Sequence, residues 1–259
     1  MRSNNLLSRI ASRKLGIVKF IGDLSLDDSL FGFGLWKTEP VRLHLKESAI
    51  PVAIYTARQV PFLLMQPVKQ ALLKMVEQDI IEPVTYPTEW SSGIVPVPGK
   101  TKVRICIDFR KLNISLKREI FHIPTFDELS SKLAGVKVMS KLDAASGFFQ
   151  IPLDGKSRDL TTFLTPFGRY RFKRLPMGIN VAPEIYQRKM CELLEGIEGV
   201  LIFMDDIVVH GKSLEEHNNI LEEVLKRIRE SGLKLNKEKC EFSKNKLEFL
   251  GHEISEREE

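Results

Sequence analysis

Cysteine is scarce in this chain: Cys106, Cys191 and Cys240 are the only three in 259 residues, widely spaced and without a C-x-x-C pair. That excludes a disulfide framework and a paired-thiol metal or redox motif, and it predicts a reduced, intracellular setting and not a secreted one. The five histidines form neither H-E-x-x-H nor a cysteine–histidine zinc pattern. No apolar run approaches the roughly 18 residues of a membrane span, so no membrane partner is expected. Internal repeats, low-complexity tracts and the Asp-Thr-Gly or Asp-Ser-Gly protease triplet are also missing. Acidic residues are absent from positions 1–22, where Arg2, Arg9, Arg13, Lys14 and Lys19 account for the whole net charge of +5. Ser3, Ser8 and Ser12 give this stretch a faint likeness to a transit peptide, but it reads better as a frayed or truncated leader. Beyond it 34 basic residues balance 34 acidic ones, so any nucleic-acid affinity must come from local placement of charge.

What is present is an acidic doublet where none should be. Asp205-Asp206 interrupts the apolar run Val200-Leu201-Ile202-Phe203-Met204 … Ile207-Val208-Val209. Adjacent carboxylates in a core strand are costly unless a cation offsets them, and hard divalent ions take oxygen ligands. A second isolated carboxylate, Asp143, ends the run Val136-Lys137-Val138-Met139-Ser140-Lys141-Leu142. Two strands ending in aspartate and converging on one metal pair is what two-metal phosphoryl transfer requires. Asp27-Asp28 is the internal control: it lies in the polar stretch Leu26-Asp27-Asp28-Ser29, where a solvated turn explains it.

Local patterns give an α+β order. Residues 1–60 read as irregular, with one short strand at 41–45. A helix is predicted over 67–80 with Pro67 at its start, then a loop over 83–100 around one short strand, then an alternating strand over 103–109 that puts Arg104 on its polar face. Thr125 and Glu128 form a capping box, as do Ser213 and Glu216, and Gly135 and Gly232 close the two helices. A strand is expected up to Asp143, a hairpin at Phe167-Gly168, a helix over 181–194, and a hairpin at the acidic doublet. Successive strand residues face opposite sides, so Asp205 and Asp206 converge only if the doublet lies on the turn.

Five segments, in order, carry a family resemblance. They are Arg104-Ile105-Cys106-Ile107-Asp108-Phe109-Arg110-Lys111-Leu112-Asn113, Ser140-Lys141-Leu142-Asp143 through Gln150-Ile151-Pro152-Leu153, and Phe172-Lys173-Arg174-Leu175-Pro176-Met177-Gly178 through Ala182-Pro183 to Gln187. Phe203-Met204-Asp205-Asp206 and Gly232-Leu233-Lys234-Leu235-Asn236 … Lys239-Cys240 … Phe249-Leu250-Gly251-His252 complete the set. Over roughly 60–255 the chain resembles the reverse transcriptase domain of gypsy-type LTR retrotransposons.

That resemblance implies an α+β right-hand polymerase fold with an antiparallel palm sheet. Fingers are expected at about 61–117 and 151–179, palm at about 118–150 and 180–255, and no thumb within the chain. It implies RNA-directed DNA polymerase activity with two Mg²⁺ ions (Mn²⁺ the alternative). Asp143 and Asp205 are the primary ligands and Asp206 has a lesser share. Arg104 and either Lys100 or Lys102 clamp the triphosphate, though Pro96-Val97-Pro98-Gly99-Lys100-Thr101-Lys102 departs from the family's usual lysine cluster before an Asp-Gly turn. Phe148 closes the sugar pocket, Met177 and Gly178 lie near the nucleotide, and Gln187 and Lys239 near the primer-template. Expected partners are an RNA or DNA template with primer and deoxynucleoside triphosphates. RNase H and integrase would belong to a full-length element, and the location would be a cytoplasmic virus-like particle or the nucleus. Three other readings compete: a catalytically weak or inactive remnant, another palm polymerase, and a protein-interaction module with a satisfied acidic turn.

Overall fold

The computed structural model describes residues 28–99 and 103–255. In chain order the elements are α1 (Phe62–Glu77), β1 (Ile81–Pro83), β2 (Ser92–Pro98), β3 (Val103–Ile107), α2 (Arg110–Ser115), α3 (Phe126–Ser130), β4 (Val138–Asp143), α4 (Gly155–Leu160), β5 (Phe163–Thr165), β6 (Gly168–Phe172), α5 (Ala182–Leu193), β7 (Val200–Phe203), β8 (Asp206–Gly211), α6 (Leu214–Ser231), β9 (Glu241–Lys244), β10 (Lys246–Phe249) and β11 (His252–Ser255). They build two main sheets, one of five strands in the order β1-β6-β5-β2-β3 and one of four in the order β7-β8-β4-β9. The four-stranded sheet is antiparallel throughout. In the other, β2 and β5 run parallel.

Residues 28–60 are irregular, as expected, but they are no detached leader. Leu30, Trp36, Val41 and Leu43 are buried in the main core. This segment straps the two sheets' surroundings together through backbone bonds: Trp36 N–H to Gln150 O, Val41 N–H to Pro152 O and Lys46 N–H to Ser115 O, each 2.8 Å. The strand expected at 41–45 is therefore absent. Val41 and Leu45 each make a single bridge, to Leu153 and Leu116, so no second pair extends either contact into a ladder.

The capping box at Thr125 formed whole; at Ser213 only the hydroxyl half formed, because the Glu216 carboxylate accepts from Lys212 N–H in place of Ser213 N–H. The Glu128 carboxylate accepts from Thr125 N–H at 2.7 Å, and Ser213 Oγ accepts from Glu216 N–H at 3.1 Å. Each such cap is worth about 1 kcal/mol. Helix α6 buries Leu221, Val224, Leu225 and Ile228 and stops at Gly232, whose φ of +74° suits glycine. Helix α1 begins at Phe62, five residues before the expected start, with Pro67 inside it. Phe62 and Leu63 are exposed, so the first turn adds nothing to the apolar stripe that marks Val68 and Leu72. Strand β3 ends at Ile107, because Asp108 turns back to the Arg110 guanidinium (2.7 Å) and Phe109 is buried as the cap of α2. Helix α4, capped by Asp154, was also missed; it is a single short turn pattern without an apolar stripe. Among the described residues no helix is long and apolar enough to cross a membrane.

Candidate active site: an acidic corner on the four-stranded sheet

Strands β7 and β8 meet at a two-residue turn, Met204-Asp205, closed by the pair Phe203 and Asp206. Met204 takes a left-handed φ of +51°, uncommon for a residue with a side chain. What holds it there is Gln187 on α5. Its amide donates to Ile202 O at 2.9 Å, and its oxygen accepts from Met204 N–H at 2.7 Å. Gln187 is fully buried, so the expected contact with primer-template is corrected: the side chain's hydrogen bonds point inward and set the turn. Glutamine is normally a surface residue, and nothing local in the sequence marks this one as buried.

Across the sheet Asp143 pairs in register with Asp206. The Ala144 N–H donates to Asp205 O at 3.2 Å, which joins the two strand ends directly. The three carboxylates meet different fates. Asp143 is buried and its Oδ2 accepts from the Lys239 ammonium at 3.0 Å. Asp206 Oδ2 lies 3.0 Å from Lys141 Nζ. Among the described residues no cation pairs with Asp205, and its Oδ1 is buried without a partner. Burial first, then the charge of Asp143, pushes the Asp205 carboxyl up to about 6, with Lys239 opposing. Among the described residues no three carboxylate, imidazole or thiol groups converge closely enough to hold a metal ion. The physical reason is that two of the three aspartates turn toward lysines. A divalent ion nevertheless fits the donor set: an orphaned carboxylate oxygen belongs to a residue within reach of the charge of Asp143, which among the described residues pairs with a lysine tip on a largely exposed side chain.

Phe148 lies four residues beyond Ala144, on a single 3-10 turn that Ser146 enters at a φ of +51°. Its ring packs 5.1 Å from that of Tyr186 on α5. Gly147 is required here, since a Cβ would come within 2.5 Å of the Tyr186 hydroxyl. Gln150, which sequence reasoning counted only as part of a motif, closes this loop. Its buried amide donates to Ala145 O and Lys234 O, and its oxygen accepts from Lys234 N–H.

Arg104 is exposed on β3 of the five-stranded sheet, and Lys100 and Lys102 lie outside the described residues. Met177 is exposed; Gly178 follows it at a φ of +93°, packed against Phe109. Asn113, given no role by sequence, fixes that turn by donating to Gly178 O at 2.8 Å and accepting from Asn180 N–H at 2.9 Å.

If Gln187 sets the acidic turn, Gln187→Leu leaves Met204 N–H and Ile202 O unpaired. A loss of about 1–3 kcal/mol of stability is expected, with primer extension down at least about tenfold and nucleic-acid affinity unchanged. Melting curves, extension rates and a binding titration check this together; weakened binding with normal extension would return Gln187 to the nucleic-acid interface.

Residues 95–254 match the family model described as "Reverse transcriptase (RNA-dependent DNA polymerase)". The chain is 36% identical over 206 residues to the retrovirus-related Pol polyprotein from transposon 412 of Drosophila melanogaster, covering 76% of this chain and 16% of that protein. It spans about one sixth of the length of the curated relatives it matches. Among solved structures, the prototype foamy virus protease–reverse transcriptase superposes with a TM-score of 0.80 at 20% identity, over 98% of this chain and 35% of that one. A foamy viral protease–reverse transcriptase in complex with an RNA/DNA hybrid gives 0.78 at 21% identity, over 98% and 33%. At these identities the likeness concerns the fold, a right-hand polymerase fold of mixed sheets and helices.

Proposed function

This chain belongs to the reverse transcriptase family, and on that premise we propose that it is the polymerising part of a gypsy-type retrotransposon Pol polyprotein. Its reaction is addition of deoxynucleotides to a primer 3′-hydroxyl on an RNA or DNA template. The observation that carries the reading is the acidic corner: Asp205, on a turn pinned by the buried Gln187, keeps a bare buried oxygen beside Asp143. Uncompensated negative charge at a fixed turn is a cation-binding arrangement.

Asp143 and Asp205 would hold two Mg²⁺ ions, or Mn²⁺, which when bound lower the pKa of the attacking hydroxyl and neutralise the leaving pyrophosphate. The chain's own residues supply the rest. The four-stranded sheet serves as palm and the five-stranded sheet as fingers, with 118–150 and 180–255 in the first and 61–117 and 151–179 in the second. Arg104 binds triphosphate oxygens from β3, helped by Lys100 or Lys102. Gly178 allows backbone to approach the nucleotide, and Phe148 walls off the sugar's 2′ face. Lys239 leaves Asp143 for the triphosphate or primer-template as these bind. RNase H and integrase belong to the longer polyprotein, which would act in a cytoplasmic virus-like particle or the nucleus.

A second reading, a remnant that binds nucleic acid without turnover, draws on the lysines that occupy Asp143 and Asp206. Primer extension on RNA and DNA templates with Mg²⁺ separates the two: elongation on the RNA template supports the polymerase, and template binding with no added nucleotide supports the remnant.

A further inference from the structure

Lys141 and Lys239 each neutralise one aspartate of the acidic corner, but they are held very differently. The Lys239 side chain is 63% exposed and reaches Asp143 from outside. Lys141 is only 20% exposed and Asp206 only 23%. Lys141 sits on β4, the inner strand flanked by β8 and β9, two residues before Asp143 on the same face. The register that sets Asp143 against Asp206 makes Lys141 the diagonal neighbour of Asp206 across β4 and β8. Its ammonium is also tied from a third side, donating to Glu248 O on β10 at 3.2 Å. A lysine gripped by a carboxylate and a carbonyl, with little solvent to screen it, does not swing away when another cation arrives.

We propose that Lys141 is a positioning residue that holds Asp206 out of the cation-binding set, so that Asp143 and Asp205 alone carry the divalent ions. The proposal rests on the polymerase reading above and refines it. The doublet divides its labour: Asp205, on the turn, faces Asp143, while Asp206, the first residue of β8, is spent on an ion pair that fastens the acidic hairpin to β4 and β10. An ion pair of this kind fixes which of two neighbouring carboxylates is available, a specificity role more than a stabilising one.

The pair can be removed as a unit without changing net charge. Mn²⁺ binding to the full chain, read by calorimetry and by the loss of the free-ion electron-paramagnetic signal, compares wild type with Lys141→Gln/Asp206→Asn and with Lys141→Gln alone. The neutral pair is expected to bind Mn²⁺ within about twofold of wild type. Lys141→Gln alone, which releases Asp206 toward the site, is expected to bind about tenfold more tightly. Tenfold weaker binding by the neutral pair would make Asp206 a ligand in the wild type and overturn the proposal. No tightening in Lys141→Gln would overturn it as well. If wild type itself takes up no Mn²⁺ beyond an Asp143→Asn control, the cation reading fails before Lys141 is at issue. Should the neutral pair not fold, Lys141→Met/Asp206→Leu, an apolar replacement of similar volume, gives the same comparison.

Discussion

Asp205→Asn is expected to cut primer extension at least about a thousandfold, roughly 4 kcal/mol of transition-state stabilisation, while making the cation-free protein more stable at pH 7. Both effects come from one atom: Asp205 Oδ1 is buried, unpaired and beside Asp143. Because the folded-state value, about 6, lies above the ordinary carboxylate value, protonated Asp205 favours folding. That contribution is fully present below about pH 4 and is lost as pH rises through about 6. A displacement of this size corresponds to about 2–3 kcal/mol. The asparagine variant has no proton to lose there. In a chelator, melting temperatures of the two proteins should therefore match near pH 4 and diverge in the variant's favour toward pH 7. Added Mg²⁺ should recover the difference for wild type only. Parallel pH profiles in the two proteins would remove Asp205 from the strained position assigned to it.

Phe148→Val is expected to admit ribonucleotides, shrinking the deoxy-over-ribo ratio of kcat/KM by one or more orders of magnitude, about 1.4 kcal/mol for each tenfold. The ring stands on the turn that follows Asp143 and is backed by Tyr186, so it cannot retreat from a bulkier sugar. Exclusion of this kind acts by steric clash and needs no hydrogen bond. Valine removes the plane but leaves the turn, which is held by Gln150 and by the clearance at Gly147. Phe148 is half-buried, so the substitution should cost about 1–2 kcal/mol of stability. If Phe148 were only a core aromatic, that stability loss would appear with the sugar ratio unchanged. Measuring both quantities on the same preparation decides the matter.

What the sequence made legible was whatever is encoded within a few residues. The N-caps at Thr125 and Ser213, the alternation around Arg104 and the acidic doublet in an apolar run all have local signatures, and all reappear in the structure. The turn at Asp205 followed from strand parity, since only a hairpin end lets an adjacent pair escape opposite faces. What stayed hidden depends on distant partners. Trp36 looks like a linker residue and Val41 like the start of a short strand until Gln150 and Pro152 accept their N–H groups. Gln187 is an unremarkable helix glutamine until β7 and β8 supply the groups it binds. Lys141 appears in the sequence only as part of the run that ends at Asp143, and its partner Asp206 is fixed only by the β4–β8 register. Helix α1 misled for the opposite reason: its first turn is exposed, so Pro67 looked like a beginning when it was an interior position.

The proposed function assigns to Asp143 and Asp205 cation-dependent nucleotide addition on an RNA template. Single-nucleotide incorporation on a primed RNA template, titrated with Mg²⁺, tests it directly for wild type, Asp143→Asn, Asp205→Asn and the exposed control Asp28→Asn. Saturable Mg²⁺-dependent incorporation is expected from wild type and Asp28→Asn, and none from either other variant at any Mg²⁺ concentration, with all four folded. Incorporation by folded Asp205→Asn at the wild-type rate would contradict it.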